Sequence, residues 1–371
     1  MSNNPDGNPN QPFISTSVLV ALLLVNLLGF DFLNEIREAA QSSGASGYWT
    51  IVVAFVLFIP VFYLIGAFQS RFPGKNLFEV AQLAIGQPLA TIGNIVFLLI
   101  FIGWLIVAIG DLTDLVLNYL LNQTPLWVVL LAILIGIGYL ALQGLVGVSR
   151  LASFILIPTL LIRILMQLFA LQNISLTHLL PFVSSEPIDY LIGGLKIANV
   201  FLPLITLFLF CHYVEEPQKI KGVSLKVSVL IMLLFLLEII GGIGVFGSEY
   251  VQKFIWPNLA LIKCINIPYL VLEQIGPVFL IVWITVFIVG GGFYMYIVAN
   301  GLQQLFPRLN YKLLVLTLLV IVGIGGLIFP NAVLVGYLFE MIRRFSIIPA
   351  IGYPVLIYII AVIRGKGRKN S

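Results

Sequence analysis

Ten apolar stretches of about 18 to 28 residues run through this chain, separated by shorter segments that hold most of its few charges. A bilayer core takes about 20 apolar residues per spanning helix, and lipid offers backbone amides no partner outside a helix or a closed barrel. The stretches are too long and too evenly apolar for barrel strands. They predict an all-α polytopic membrane protein with spans near 17–36, 47–69, 91–118, 126–147, 151–171, 188–213, 226–247, 275–299, 311–329 and 346–363. Composition agrees: 9% of the 371 residues are charged, against about a quarter in soluble domains. No connecting segment is long enough for a soluble domain, and the polar first ten residues do not read as a signal peptide.

Basic residues in short loops set orientation. With the N-terminus cytoplasmic, twelve lie inside (Arg71, Lys75, Arg150, Lys219, Lys221, Lys226, Arg308, Lys312, Arg364, Lys366, Arg368, Lys369) and five outside (Arg37, Lys253, Lys263, Arg343, Arg344). The bias predicts both termini on the cytoplasmic side and an even number of spans. The net charge of +4 is then a topology signal and implies no nucleic-acid partner. Cys211 and Cys264 fall on opposite sides, and neither has metal-ligand spacing.

The topology divides near residue 185 into two sets of five spans, 1–185 and 186–371. An odd number per half inverts the second set, the arrangement of many secondary transporters, whose first repeat helices are broken near the midplane. Gly29 in the first span and Pro203 in the sixth are matched candidates for such breaks. Short amphipathic segments at 75–86 and 256–275 read as surface helices, the second capping an outer vestibule.

Intramembrane charges are costly and rarely face lipid. Asp31 and Arg163 lie at similar depths in their spans and are candidates for a buried pair; alternatively, Asp31 belongs to the outer mouth with Asn34 and Glu35. Glu238 sits mid-span and faces either a cavity, with a proton-relay role open to it, or a polar partner. Asp111 and Asp114 read as a solvated helix end. Gly290, Gly291 and Gly292, ahead of Tyr294, suit ligand contact or tight packing; with Phe101 and Trp104 they could line a small pocket. No catalytic triad, metal cluster, phosphate loop or dinucleotide fingerprint occurs, and nothing in the residues reads as an enzyme or a cofactor site.

Six segments, taken in order, carry a resemblance: ISTSVLVALLLVNLLG (14–29), FPGKNLFE (72–79), TPLWVV (124–129), GLVGVSRLASFILIP (144–158), LLPF (179–182) and WPNLALIKCI (256–265). In type and position they are similar to motifs of the spore germination permeases, the B subunits of endospore germinant receptors. The resemblance implies a ten-helix fold of the amino acid/polyamine/organocation transporter type in the spore inner membrane. It also implies a small germinant ligand, and assembly with an A-type membrane subunit and a C-type lipoprotein. Carried onto this chain, the ligand site involves Gly29, Phe101, Leu105, Pro203, Gly291 and Tyr294. A proton-coupled amino acid transporter using Asp31 or Glu238 is the alternative function. The chain departs from the family pattern at Phe30-Asp31 after the first-span glycine, at Leu202-Pro203-Leu204 where many members carry Gly-x-Glu, and at Gln274-Ile275-Gly276 in the outer loop.

Overall fold

A computed structural model describes residues 14–29, 34–264, 276–328 and 332–367, without side-chain detail at 332–336, 338–340 and 343–345. In chain order its helices are α1 (Thr16–Gly29), α2 (Glu35–Ser43), α3 (Trp49–Arg71), α4 (Leu77–Ile85), α5 (Gln87–Tyr119), α6 (Leu126–Leu142), α7 (Gly144–Ala170), α8 (Pro187–Ile197), α9 (Leu207–Phe210), α10 (Ile220–Phe246), α11 (Ser248–Val251), α12 (Pro257–Lys263), α13 (Gly276–Leu305), α14 (Tyr311–Ile328) and α15 (Ala332–Ile363). Eight helical segments are long and apolar enough to cross a bilayer; α1 and α6 are apolar but shorter. Among the described residues there is no strand, only one isolated bridge between Ile14 and Val214.

The first and sixth stretches are interrupted. The first is described as α1 up to Gly29 and as a separate helix, α2, from Glu35. The sixth runs as α8, tightens into a 3-10 segment over Ala198–Thr206, and ends as the single turn α9. Pro203 lies inside that segment. It has no N–H to donate, and its ring crowds the carbonyl one turn back, which disfavours a regular α-helical turn there. These interrupted pieces form the interior: every residue of Ala198–Thr206 is buried, as is α1 from Ala21 to Gly29. The most apolar part of 187–213 is 89% buried, against 28% for α14 and the end of α15. The outer helices therefore present apolar residues such as Phe154, Ile157 and Ile348 to lipid.

Other boundaries moved for local reasons. The fourth stretch was expected to reach residue 147, but α6 stops at Leu142 and α7 begins at Gly144. Gly144 has φ +67°, a left-handed conformation that glycine adopts without steric cost, so the chain reverses there within one residue. The tenth helix starts at Ala332, well before the expected 346, and carries Pro349 and Pro354 internally. The amphipathic segment at 75–86 is α4, opened by a reciprocal Asn76–Glu79 capping box. It packs on α5 and α15. The segment at 256–275 supplies α12; residues 265–275 lie outside the described set.

α1 is surrounded by α7, α10, α13 and the 3-10 segment, while α2 and α8 pack on one another and on α10 and α3. Glycines permit these approaches, as in other membrane bundles. A Cβ at Gly242 of α10 would stand 2.5 Å from Ile36 of α2, and one at Gly194 of α8 would stand 2.6 Å from Val53 of α3. On α13, a Cβ at Gly291 would stand 2.7 Å from Ile137, and one at Gly292 the same distance from Leu140. These two glycines face α6, so the packing role is the one this geometry carries.

At one end of the bundle the two interrupted spans are tied together. The Ile14 amide donates to the Tyr213 carbonyl at 2.9 Å, and the Glu215 amide donates back to Ile14 at 3.1 Å. The Thr16 hydroxyl donates to Glu216 at 2.7 Å, and Lys219 pairs with the same carboxylate at 2.6 Å. Lys219, and then Thr16, hold the Glu216 carboxyl below its ordinary range.

Replacing Gly292 with valine forces α13 away from α6 and should lower stability by about 1–3 kcal/mol, read by thermal unfolding in detergent. Gly222→Ala, whose Cβ would meet nothing within 4 Å, should be neutral or stabilising. Because folding lowers the Glu216 pKa, its tie is present at neutral pH and is lost as pH falls through the lowered value. Glu216→Gln should reproduce that loss at neutral pH, seen as faster hydrogen exchange of the Ile14 and Glu215 amides.

Candidate functional site

An α-helix leaves its last carbonyls without partners, and they form the negative end of its dipole. The described part of α1 reaches Gly29 in the protein interior. The Arg163 guanidinium of α7, 2% exposed, donates from Nη1 to the Leu28 carbonyl at 3.1 Å. Its Nε donates to Glu238 Oε1 of α10 at 2.7 Å, and Nη2 closes on the same oxygen. Glu238 is 1% exposed. Phe235, one turn earlier on α10, stacks its ring 5.1 Å from the guanidinium carbon. One cation therefore holds the end of an interrupted helix, a buried carboxylate and an aromatic face.

Glu238 was expected to face either a cavity or a polar partner. Its partner is Arg163, and each charge makes the other's burial tolerable. The second carboxylate oxygen, Oε2, has no hydrogen-bond partner among the described residues. Asp31, the other proposed partner of Arg163, lies outside the described residues.

The expected aromatic cluster assembles on α5 and α13. Phe101 lies 5.6 Å from both Trp104 and Tyr294, and Trp104 meets Tyr294 edge-on at 6.3 Å. The Trp104 indole donates to Ser346 of α15 at 2.9 Å. Phe97 and Tyr353 extend the group, with the Tyr353 hydroxyl donating to Asn94 at 2.6 Å. Leu105 is buried one turn beyond Phe101 on the same face. Gly29 abuts α13 at Val286, eight residues from Tyr294 and so about 12 Å along that helix. Gly29 and the aromatic cluster thus share one helix at different depths. Pro203 belongs to the neighbouring buried segment, whose Phe201 packs on Phe55 and Phe58 of α3.

The far end carries polar links that the sequence reading did not draw. The buried Asn258 of α12 donates to Glu35 at the start of α2 at 2.7 Å. Arg37 donates to Asn34 and to the Ile255 carbonyl. Asp111, expected at a solvated helix end, is hydrogen-bonded with Trp256 beside α12, and Asp114 accepts from Asn118 at 3.1 Å. The short cap helix thus fastens the outer piece of the first span to α5. A buried Glu35 was foreseeable only as a carboxylate in need of a donor. Nothing in the residue spacing identified Asn258 as that donor.

A family model described as spore germination protein matches residues 13–331. The chain belongs to the spore germination permease family. Among its relatives it is 28% identical to spore germination protein A2 of Bacillus subtilis strain 168 over 311 residues, 82% of each chain. It is 24% identical to spore germination protein YndE of the same organism, covering 80% of this chain and 82% of that one. Among solved structures, MhsT in complex with L-phenylalanine superposes with a TM-score of 0.68 at 17% identity, over 97% of this chain and 91% of that one. The nucleobase-cation-symport-1 family transporter Mhp1 gives 0.64 at 15% identity, over 88% and 75%. At such identities these matches establish fold. This spore germination permease is a multi-pass integral membrane protein with a transporter fold whose first and sixth spans are interrupted, and its family and fold are those of membrane permeases and transporters.

Removing either member of the Arg163–Glu238 pair strands a buried charge and should cost about 3–5 kcal/mol. The double variant Arg163→Met/Glu238→Met should cost less than the sum of the singles. Thermal unfolding of all four proteins gives the coupling, which should fall within about 0.5–3 kcal/mol; additive losses would show that the two residues do not act as a pair.

Proposed function

We propose that this chain is the ligand-sensing membrane subunit of a spore germinant receptor, taking a small germinant such as an amino acid. The observation that carries the reading is the first span meeting α13, the Arg163–Glu238 pair and the buried 3-10 segment of the sixth span in the interior. An α1 end rich in carbonyls suits an ammonium group, and the amide-rich start of a second half-helix suits a carboxylate. The proposed cavity runs along α13 between Gly29 and Tyr294, with Phe101 and Leu105 on α5 and Pro203 on the facing segment. Gly291 contributes by holding α13 close to α6.

A ligand moves an equilibrium only through unequal affinity for its two states. Arg163 joins α1, α7 and α10, so a germinant that alters the end of α1 changes the packing of all three. The signal would pass to an A-type membrane subunit and a C-type lipoprotein in the spore inner membrane, with both termini of this chain on the core side. The two sets of five spans, 1–185 and 186–371, would act as the inverted repeats that move against one another. The relatives, each a spore germination protein, support the setting.

A second reading, a proton-coupled amino acid transporter, is favoured by the unpartnered Glu238 Oε2, which could carry a proton. Purified protein separates the two. Under the sensor reading, one member of a panel of amino acids, nucleosides and sugars should stabilise it against heat, by about 2.7 kcal/mol at a hundred times its Kd, with no concentrative uptake in proteoliposomes. Uptake that collapses with the proton gradient would make the chain a transporter. Stabilisation by no member of the panel would remove both ligand-binding readings.

A further inference from the structure

A cleft of about 700 Å³ opens between the end of α3 and the start of α10, lined by Tyr63, Gly66, Ala67, Gln69, Ser70, Pro73, Pro217, Gln218 and Lys221. It lies at the far end of α3, with Lys221 in its lining and Arg71, Lys75 and Lys219 close to lining residues in the sequence. Three of its groups point to one kind of occupant. Lys221 provides a cation: its stem lies against α3 at Gly66, where a Cβ would stand 2.9 Å from the lysine Cβ and Cδ, and its Nζ sits 3.8 Å above the Tyr63 ring. No carboxylate lines the cleft to neutralise it, and the neighbouring Lys219 is already paired with Glu216. Gln69 is 4% exposed; its amide nitrogen is turned to Cys211, and its Oε1 has no partner among the described residues. The Ser70 hydroxyl donates back to the Gly66 and Ala67 carbonyls, which leaves its oxygen as an acceptor.

A fitting occupant must place an anion at Lys221 and hydroxyl donors at Gln69 and Ser70. The cleft has apolar walls, and its rim residue Tyr63 is 58% exposed on a helix long and apolar enough to span a bilayer, so the occupant also has an apolar part that stays in the lipid. We propose that this cleft is a binding site for an anionic phospholipid with a hydroxyl-bearing headgroup, such as phosphatidylglycerol. The phosphate pairs with the Lys221 ammonium, the headgroup hydroxyls donate to Gln69 Oε1 and the Ser70 oxygen, and the acyl chains run down the outer face of α3 past Tyr63. Basic pockets between spanning helices bind anionic headgroups by this chemistry.

The test is native mass spectrometry of the full-length protein released from detergent micelles doped with one lipid at a time. Phosphatidylglycerol should be retained. Lys221→Gln should reduce its retention about fivefold, the factor expected for one basic contact to an anionic headgroup, and Gln69→Leu should also reduce it. Lys226→Gln, an exposed lysine off the cleft, should retain it as wild type does, and thermal melts confirm that each variant is folded. Equal retention of phosphatidylcholine or phosphatidylethanolamine would overturn the proposal, as would undiminished phosphatidylglycerol on both cleft variants. Glycerol phosphate that binds as tightly as the lipid would identify a soluble occupant and overturn the lipid one. None of these outcomes depends on whether a germinant binds at the interior site.

Discussion

A positive charge at the end of an interrupted helix organises the interior of this protein. Breaking a spanning helix inside a membrane exposes carbonyls that lipid cannot satisfy. Arg163 answers part of that demand by donating to Leu28, and Glu238 balances the charge. The arrangement brings α1, α7 and α10 to one point, and the close approach of α2 to α10 at Gly242 follows within a turn of it.

Much of the architecture was legible in the chain because membranes impose few choices. Long apolar stretches have to be helices, and Pro203 fell where the sixth span loses regular α-helical structure. The errors were local. Gly144 turned out to be a reversal with positive φ that no apolar count registers, so the expected fourth span ran five residues too far. The last helix was expected to start too late because its first four turns, with Glu340, Arg343 and Arg344, looked too polar to belong to it.

In the interior, the sequence showed positions more than pairings. Phe101, Trp104 and Tyr294 meet as their positions on the third and eighth spans suggested. Arg163 and Glu238 were both singled out as costly charges, yet depth alone could not join residues 75 apart on different helices. Gly291 and Gly292 show the limit most plainly. Glycine supplies room, but only the facing helix decides whether the room is filled, and here Ile137 and Leu140 fill it.

The tie between Ile14 and residues 213–215 has a consequence of another kind. It joins the start of the first span to the end of the sixth through main-chain hydrogen bonds, so this closure is written in backbone and reads no side chain. Ordinary substitutions at these positions leave both bonds available; proline at 14 or 215 removes a donor outright. The end of the bundle that must part if the interior is ever to open there is thus guarded by a latch whose strength hardly varies with sequence. Variation in the ease of opening would have to come from the Thr16–Glu216–Lys219 cluster beside it.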